Sequence, residues 1–117
     1  MMEILNNISA VLAEAKSAAV DASNDMYDKI GGDQLACGFA WVDVYEYDGK
    51  KIRANSKLGK ALSANGIEKS SYKGCFDLWN PSGLMVQNID IKEAGAQAYA
   101  SVLKKYGFTA YANSRLD

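Results

Sequence analysis

The sequence predicts an α+β domain: an antiparallel sheet with its helices packed mainly on one face, in the order α-β-β-α-β-β-α-β. Three observations predict it. Residues 3–30 repeat apolar side chains at helical spacing and stop at Gly31-Gly32. Residues 35–47 alternate at strand spacing and run into Asp48-Gly49. Residues 90–106 return to helical spacing and stop at Gly107. No β-α-β run long enough for a doubly wound sheet is present, and the turns favour antiparallel neighbours.

The first helix carries Ile4, Ile8, Val11, Ala15, Ala18, Ala22 and Met26 at three- and four-residue steps, with Leu5, Leu12 and Ala19 widening the stripe. Its alanines allow close approach to a neighbour. In the strand that follows, Leu35, Cys37, Phe39, Trp41, Tyr45 and Tyr47 fall on a bulky face. Ala36, Gly38, Ala40, Val42 and Val44 fall on a small one, which suits the alanine-rich helix. Asp48-Gly49 then sets a hairpin register of Tyr47 with Lys50, Glu46 with Lys51 and Tyr45 with Ile52.

Ser56 caps a short helix that stops at Asn65-Gly66. Residues 74–80 and 84–89 read as a second hairpin around Asn80-Pro81-Ser82-Gly83. Asp90, with Glu93, reads as the cap of the third helix. Lys104 and Lys105 suit its C-terminal dipole. Residues 108–112 form a last short strand, and 113–117 read as a polar tail. The whole is one domain, 1–117, made of an N-terminal helix (1–30) and a sheet-and-helix body (35–112).

Composition excludes several chemistries. The chain has two cysteines, Cys37 and Cys75, and no histidine. That is too few for a disulfide framework and the wrong set for zinc. No phosphate-binding loop occurs; Ser56-Lys57-Leu58-Gly59-Lys60 only approaches one. No cofactor is implied. No stretch is apolar enough for a bilayer and the N-terminus lacks a basic n-region, so a cytoplasmic location without membrane contact is expected.

The net charge of −1 hides a polarity. Residues 1–49 carry a net −7, whereas residues 50–73 carry seven basic side chains and only Glu68 against them. Lys50, Lys51, Arg53, Lys57 and Lys60 therefore form a candidate ligand patch, with Tyr45, Tyr47 and Tyr72 nearby. Basic and aromatic groups together suit single-stranded nucleic acid. A solvated, lysine-bearing edge explains them equally, and the sequence pI of about 5.4 argues against a dedicated nucleic-acid binder. Asn80, Pro81 and Ser82 read as an exposed turn beside Trp79 and a second contact point.

Several strings resemble stretches found in small proteins of tailed bacteriophages. They are residues 32–42 (Gly-Asp-Gln-Leu-Ala-Cys-Gly-Phe-Ala-Trp-Val), residues 53–59, Leu78-Trp79-Asn80-Pro81-Ser82-Gly83, residues 92–96 and residues 111–117. The resemblance implies a phage origin and expression in an infected bacterial cytoplasm. It implies no activity and carries over no catalytic residue.

The functional expectation is a non-enzymatic accessory or binding protein. Its partner is a host protein, a phage protein or its own copies. The rivals are single-stranded nucleic-acid binding through residues 50–73 and a small enzyme using Asp43 and Asp77 or a cysteine. Self-association is expected through the first helix. At about 28 residues it would extend roughly 42 Å, against a radius of gyration of roughly 13–14 Å for such a chain. The alternative is a kink near Asp21–Asp25.

Overall fold

The computed structural model describes residues 7–71 and 73–117; Ile4, Leu5 and Tyr72 of the sequence reading lie outside them. Helix α1 spans Ile8–Ile30 and closes on Gly31 in the left-handed conformation, φ 83°. Strand β1 spans Gly38–Tyr45, helix α2 Lys57–Ala64, strand β2 Glu68–Lys69 and strand β3 Phe76–Trp79. Helix α3 spans Ile89–Lys105 and strand β4 Thr109–Leu116. The four strands form one antiparallel sheet in the order β2-β3-β1-β4. The α+β class, the antiparallel sheet and the helices on one face stand as expected. From β1 onward the path is the split βαβ arrangement.

The small face of β1 is the buried one: Ala40, Val42 and Val44 are each no more than 1% exposed. The helix against it is α3, not α1. Helix α3 lies close to both β1 and β4, and α1 packs along α3. A single buried cluster joins Val11, Leu12, Ala15 and Ala19 of α1 to Ala96, Tyr99, Ala100 and Leu103 of α3 and to Phe76 and Ala110 of the sheet. The alanines of α1 are thus used inside the molecule. They meet α3 at Gly95, where an added Cβ would lie 2.5 Å from Ser23 Oγ and 3.1 Å from Ser82 Cβ. Ser23 Oγ donates to the Ile91 carbonyl at 2.6 Å, which ties the two helices at that crossing. Helix α1 continues as helix through Asp21–Asp25.

Two local pairings differ from expectation. The turn at Asp48-Gly49 forms one residue earlier than expected, over Glu46–Gly49, with Gly49 N–H on the Glu46 carbonyl, and the chain makes only one further rung, Glu46 N–H to the Lys50 carbonyl. The expected register of Tyr47 with Lys50, Glu46 with Lys51 and Tyr45 with Ile52 is therefore corrected. Residues 51–53 then leave the ladder, because β1 is already paired on both edges by β3 and β4. The turn at Asn80–Gly83 also forms, with Gly83 N–H on the Asn80 carbonyl. Residues 84–88 do not return along β3. They run beside residues 33–38, where Asp33 accepts from the Gln87 and Asn88 N–H groups and Gly38 N–H bonds to the Gln87 carbonyl. The cap of α3 is Asn88, whose Oδ1 accepts from Ile91 N–H at 3.0 Å, and Asp90 sits in the first turn.

Candidate functional site: the open face of the sheet

Alternation along β1 fixes the site. If Ala40, Val42 and Val44 face the helices, then Phe39, Trp41, Asp43 and Tyr45 face the other way, and of helix α3 the Lys92 ammonium reaches the Phe39 ring at 5.5 Å. The neighbouring strands add to this face by register. Trp79 lies opposite Trp41, Asp77 and Tyr111 opposite Asp43, and Arg115 opposite Phe39. The result is a row of aromatic rings across the two central strands, with charges at its centre and edge.

The rings are fastened. Trp41 and Trp79 stack with centroids 4.6 Å apart and planes 17° from parallel. Phe39 meets Trp79 edge to face at 6.0 Å, and Tyr45 meets Tyr111 at 5.8 Å. Lys73 Nζ lies 5.5 Å from the Trp41 ring and the Arg115 guanidinium 5.4 Å from the Phe39 ring. Trp79 stays 42% exposed and Tyr111 54%, so the row is accessible at its ends.

Lys73 organises the charges. Its ammonium donates to Asp43 Oδ1 at 2.8 Å and reaches Asp77 Oδ2 at 3.0 Å. Burial works against the ammonium's charge. The hydrogen bonds to the two carboxylates, and their negative charge, outweigh it and hold Lys73 above the usual lysine range. Asn113 Nδ2 donates to Asp43 Oδ2 at 2.9 Å, and the Cys75 thiol points at Asp43 Oδ1 from 3.7 Å. A hydrogen bond with Cys75, then burial and the charge of Asp43, push the Tyr45 phenol up to about 12, with Lys73 pulling the other way.

The enzyme reading meets two obstacles in this arrangement. The two carboxylates that an enzyme reading needs as acid and base are both clamped by one lysine. Cys37 and Cys75 are free thiols, and neither has a histidine to activate it, since the chain has none. Among the described residues no cluster of three or more His, Cys, Asp or Glu side chains is placed to hold a metal.

The residues singled out from sequence fall on several elements. Lys51, Arg53, Lys57 and Lys60 are exposed on the segment after β1 and on α2, and Lys50 pairs with Asp48 at 3.6 Å. Tyr45 belongs to the open face, while Tyr47 stands 71% exposed in the turn. The exposed turn at Asn80, Pro81 and Ser82 is corrected: Pro81 and Ser82 are buried and Asn80 is half-buried. The turn packs down because Gly95 of α3 leaves room for Ser82 and because Asn80 Nδ2 is drawn to the Leu84 carbonyl. Lys73, Asn113, Tyr111 and Arg115 were missed. Register was the missing information, since β4 continues through the residues that look like a polar tail.

No family model matches the chain, and no solved structure matches it. Among characterised proteins, 101 residues, 85% of this chain, align at 27% identity with Dystrophin, isoforms A/C/F/G/H, of Drosophila melanogaster. The chain spans 3% of that protein. The expected resemblance to tailed-bacteriophage proteins is therefore corrected: the match found is to an animal protein, and nothing ties the chain to a phage. Among the described residues no helix is long and apolar enough to cross a membrane.

Proposed function

We propose that this chain is a non-enzymatic binding module whose ligand surface is the open face of the sheet, and that its ligand is a polypeptide. The carrying observation is the fastened Trp41–Trp79 pair on the two central strands, whose Trp79 ring stays 42% exposed. Large aromatic groups held rigid and partly exposed lose little entropy when a partner covers them. Lys73 and Arg115 supply donors for a partner's carbonyl or carboxylate groups, and Asp77 supplies an acceptor. We take the compartment to be a reducing cytosol, a reading that the two free cysteines support. Self-association through α1 would fall to its last two turns, where Tyr27 is 41% exposed.

A second reading is single-stranded nucleic acid. Aromatic side chains on the two central strands of a four-stranded sheet are how one RNA-binding fold stacks its bases. Against it, the Trp41 ring has Trp79 on it and Lys73 beside it, and Asp43 and Asp77 sit where a phosphate would pass.

The test compares wild type with Trp79→Ala and Lys60→Ala, each first shown to be folded by circular dichroism. Proteins retained from a cell extract by wild type and by Lys60→Ala, and lost with Trp79→Ala, are the expected result. An unchanged set with Trp79→Ala sinks the reading. Labelled oligothymidylate is titrated in parallel by anisotropy at two salt concentrations. Tight binding that weakens steeply with salt would move the site to nucleic acid.

A further inference from the structure

We propose that two copies of this chain join through β4, edge to edge, into one continuous eight-stranded sheet. Strand β4 is bonded to β1 along its whole length and, among the described residues, to no other strand, which leaves its outer edge open there. It is eight residues long. The opposite edge of the sheet ends in β2, which has two residues and offers almost no template. Open edges are normally blunted by proline, inward charge or shortness. In β4 only Arg115 is charged and there is no proline.

The flank of this edge is shaped for a second copy. A groove of about 440 Å³ lies between α3 and β4, lined by Gln97, Ala100, Ser101 and Lys104 on one wall and by Tyr111 to Asn113 on the other. It continues to Glu93 and Ser114, whose side chains are hydrogen-bonded to each other. Its centre carries small and neutral side chains. One end is acidic, at Glu93, and the other basic, at Lys104.

A two-fold axis perpendicular to the sheet, half a strand spacing outside β4 and level with Ala112 or Asn113, makes β4 antiparallel to its copy and keeps both α3 helices on the same side. The same operation turns the groove end for end. Glu93 of each chain then meets Lys104 of the other. Strands are spaced about 4.8 Å apart, and α3 lies over β1 and β4. Each α3 would sit about one spacing from the axis, which puts the pair about 10 Å apart, the ordinary distance for packed helices. The open aromatic face is untouched and becomes doubled, so this inference goes beyond the binding reading and does not depend on it.

Charge exchange tests it on the full chain. Sedimentation at several concentrations should show a dimer for wild type. Glu93→Lys places like charges together and should shift the dissociation constant upward by at least tenfold, as should Lys104→Glu. The double exchange Glu93→Lys with Lys104→Glu should restore the dimer. Wild type that stays monomeric at several hundred micromolar overturns the proposal. So does a dimer that neither single change weakens, or one that Tyr27→Asp on α1 abolishes. If Glu93→Lys fails to fold, Lys104→Glu and Ser101→Glu give the same readout, because both face the groove from α3.

Discussion

Lys73 stands between Asp43 and Asp77, and its neighbours explain what its removal would do. Lys73→Met leaves two carboxylates facing each other on adjacent strands. The expected loss is about 1–3 kcal/mol at neutral pH, the range for stranding a partly buried charged partner. The deficit should shrink in strong salt, which screens the repulsion. Urea unfolding at low and at high salt measures both, and an equal deficit at the two salt concentrations would refute the account. Tyr99 makes the opposite case. Burial alone raises its phenol to about 12. The unfolded chain releases that proton near pH 10, while the fold holds it until about 12. Stability therefore falls as pH rises through this window, by on the order of 2 kcal/mol from this group. Tyr99→Phe should cost little at pH 7 and should flatten the alkaline decline. A decline of unchanged depth in that variant would show that Tyr99 is not its source. Lys73 acts in the same direction: a raised amine stabilises below its unfolded value and loses that contribution in alkali.

At the scale of elements, the crossing of α1 over α3 rests on Gly95. Alanine is the better helix former by about 1 kcal/mol, yet its Cβ would lie 2.5 Å from Ser23 Oγ. We expect Gly95→Ala to destabilise by about 1–2 kcal/mol despite its propensity. Combined with Ser23→Ala it should cost less than the two single changes added, since the clash partner is gone. Additive losses in chemical denaturation would mean that the helices do not meet there. The elements themselves were legible where their signal is local. The stripe of α1, the alternation of β1, the Ser56 cap and the glycines at 31, 66 and 107 all act within a few residues, and each stands. Strand partners were not legible. Asp48-Gly49 makes a turn from its own chemistry, but whether the next residues pair depends on β3 and β4, which arrive from distant sequence. Residues 113–116 look like a tail because their side chains are polar. They are strand because β1 offers them an edge and the open face tolerates polar groups.

For the whole molecule, the buried cluster runs from α1 through α3 to the sheet without a break. Nothing divides it into parts that would melt separately, so calorimetry should show one transition with matching calorimetric and van't Hoff enthalpies. A chain lacking residues 1–30 uncovers the outer side of α3 and loses Val11, Leu12, Ala15 and Ala19 from the core. It should show no cooperative transition at 25 °C. A sharp, reversible melt in that fragment would show the β1–β4 body to be self-sufficient. The candidate site was half legible for a related reason. The bulky face of β1 could be read directly, whereas the basic run drew attention by its charge alone. Formal charge counts residues along the chain; Lys73, the one member of that run bound into the aromatic face, is marked by position in space.

The Trp41–Trp79 pair has a spectroscopic consequence. These are the only two tryptophans in the chain, and their rings lie 4.6 Å apart and nearly parallel. Two identical chromophores that close share their excited states, and wherever their transition dipoles are not parallel the coupled transitions split into bands of opposite sign in the far-ultraviolet dichroism. The amplitude depends on the angle between the transition dipoles, so the part lost in Trp79→Phe reports the pairing of β1 with β3. The molecule thus carries its own label-free gauge of the sheet face, and a ligand that parts the rings would erase the couplet while leaving the helical bands unchanged.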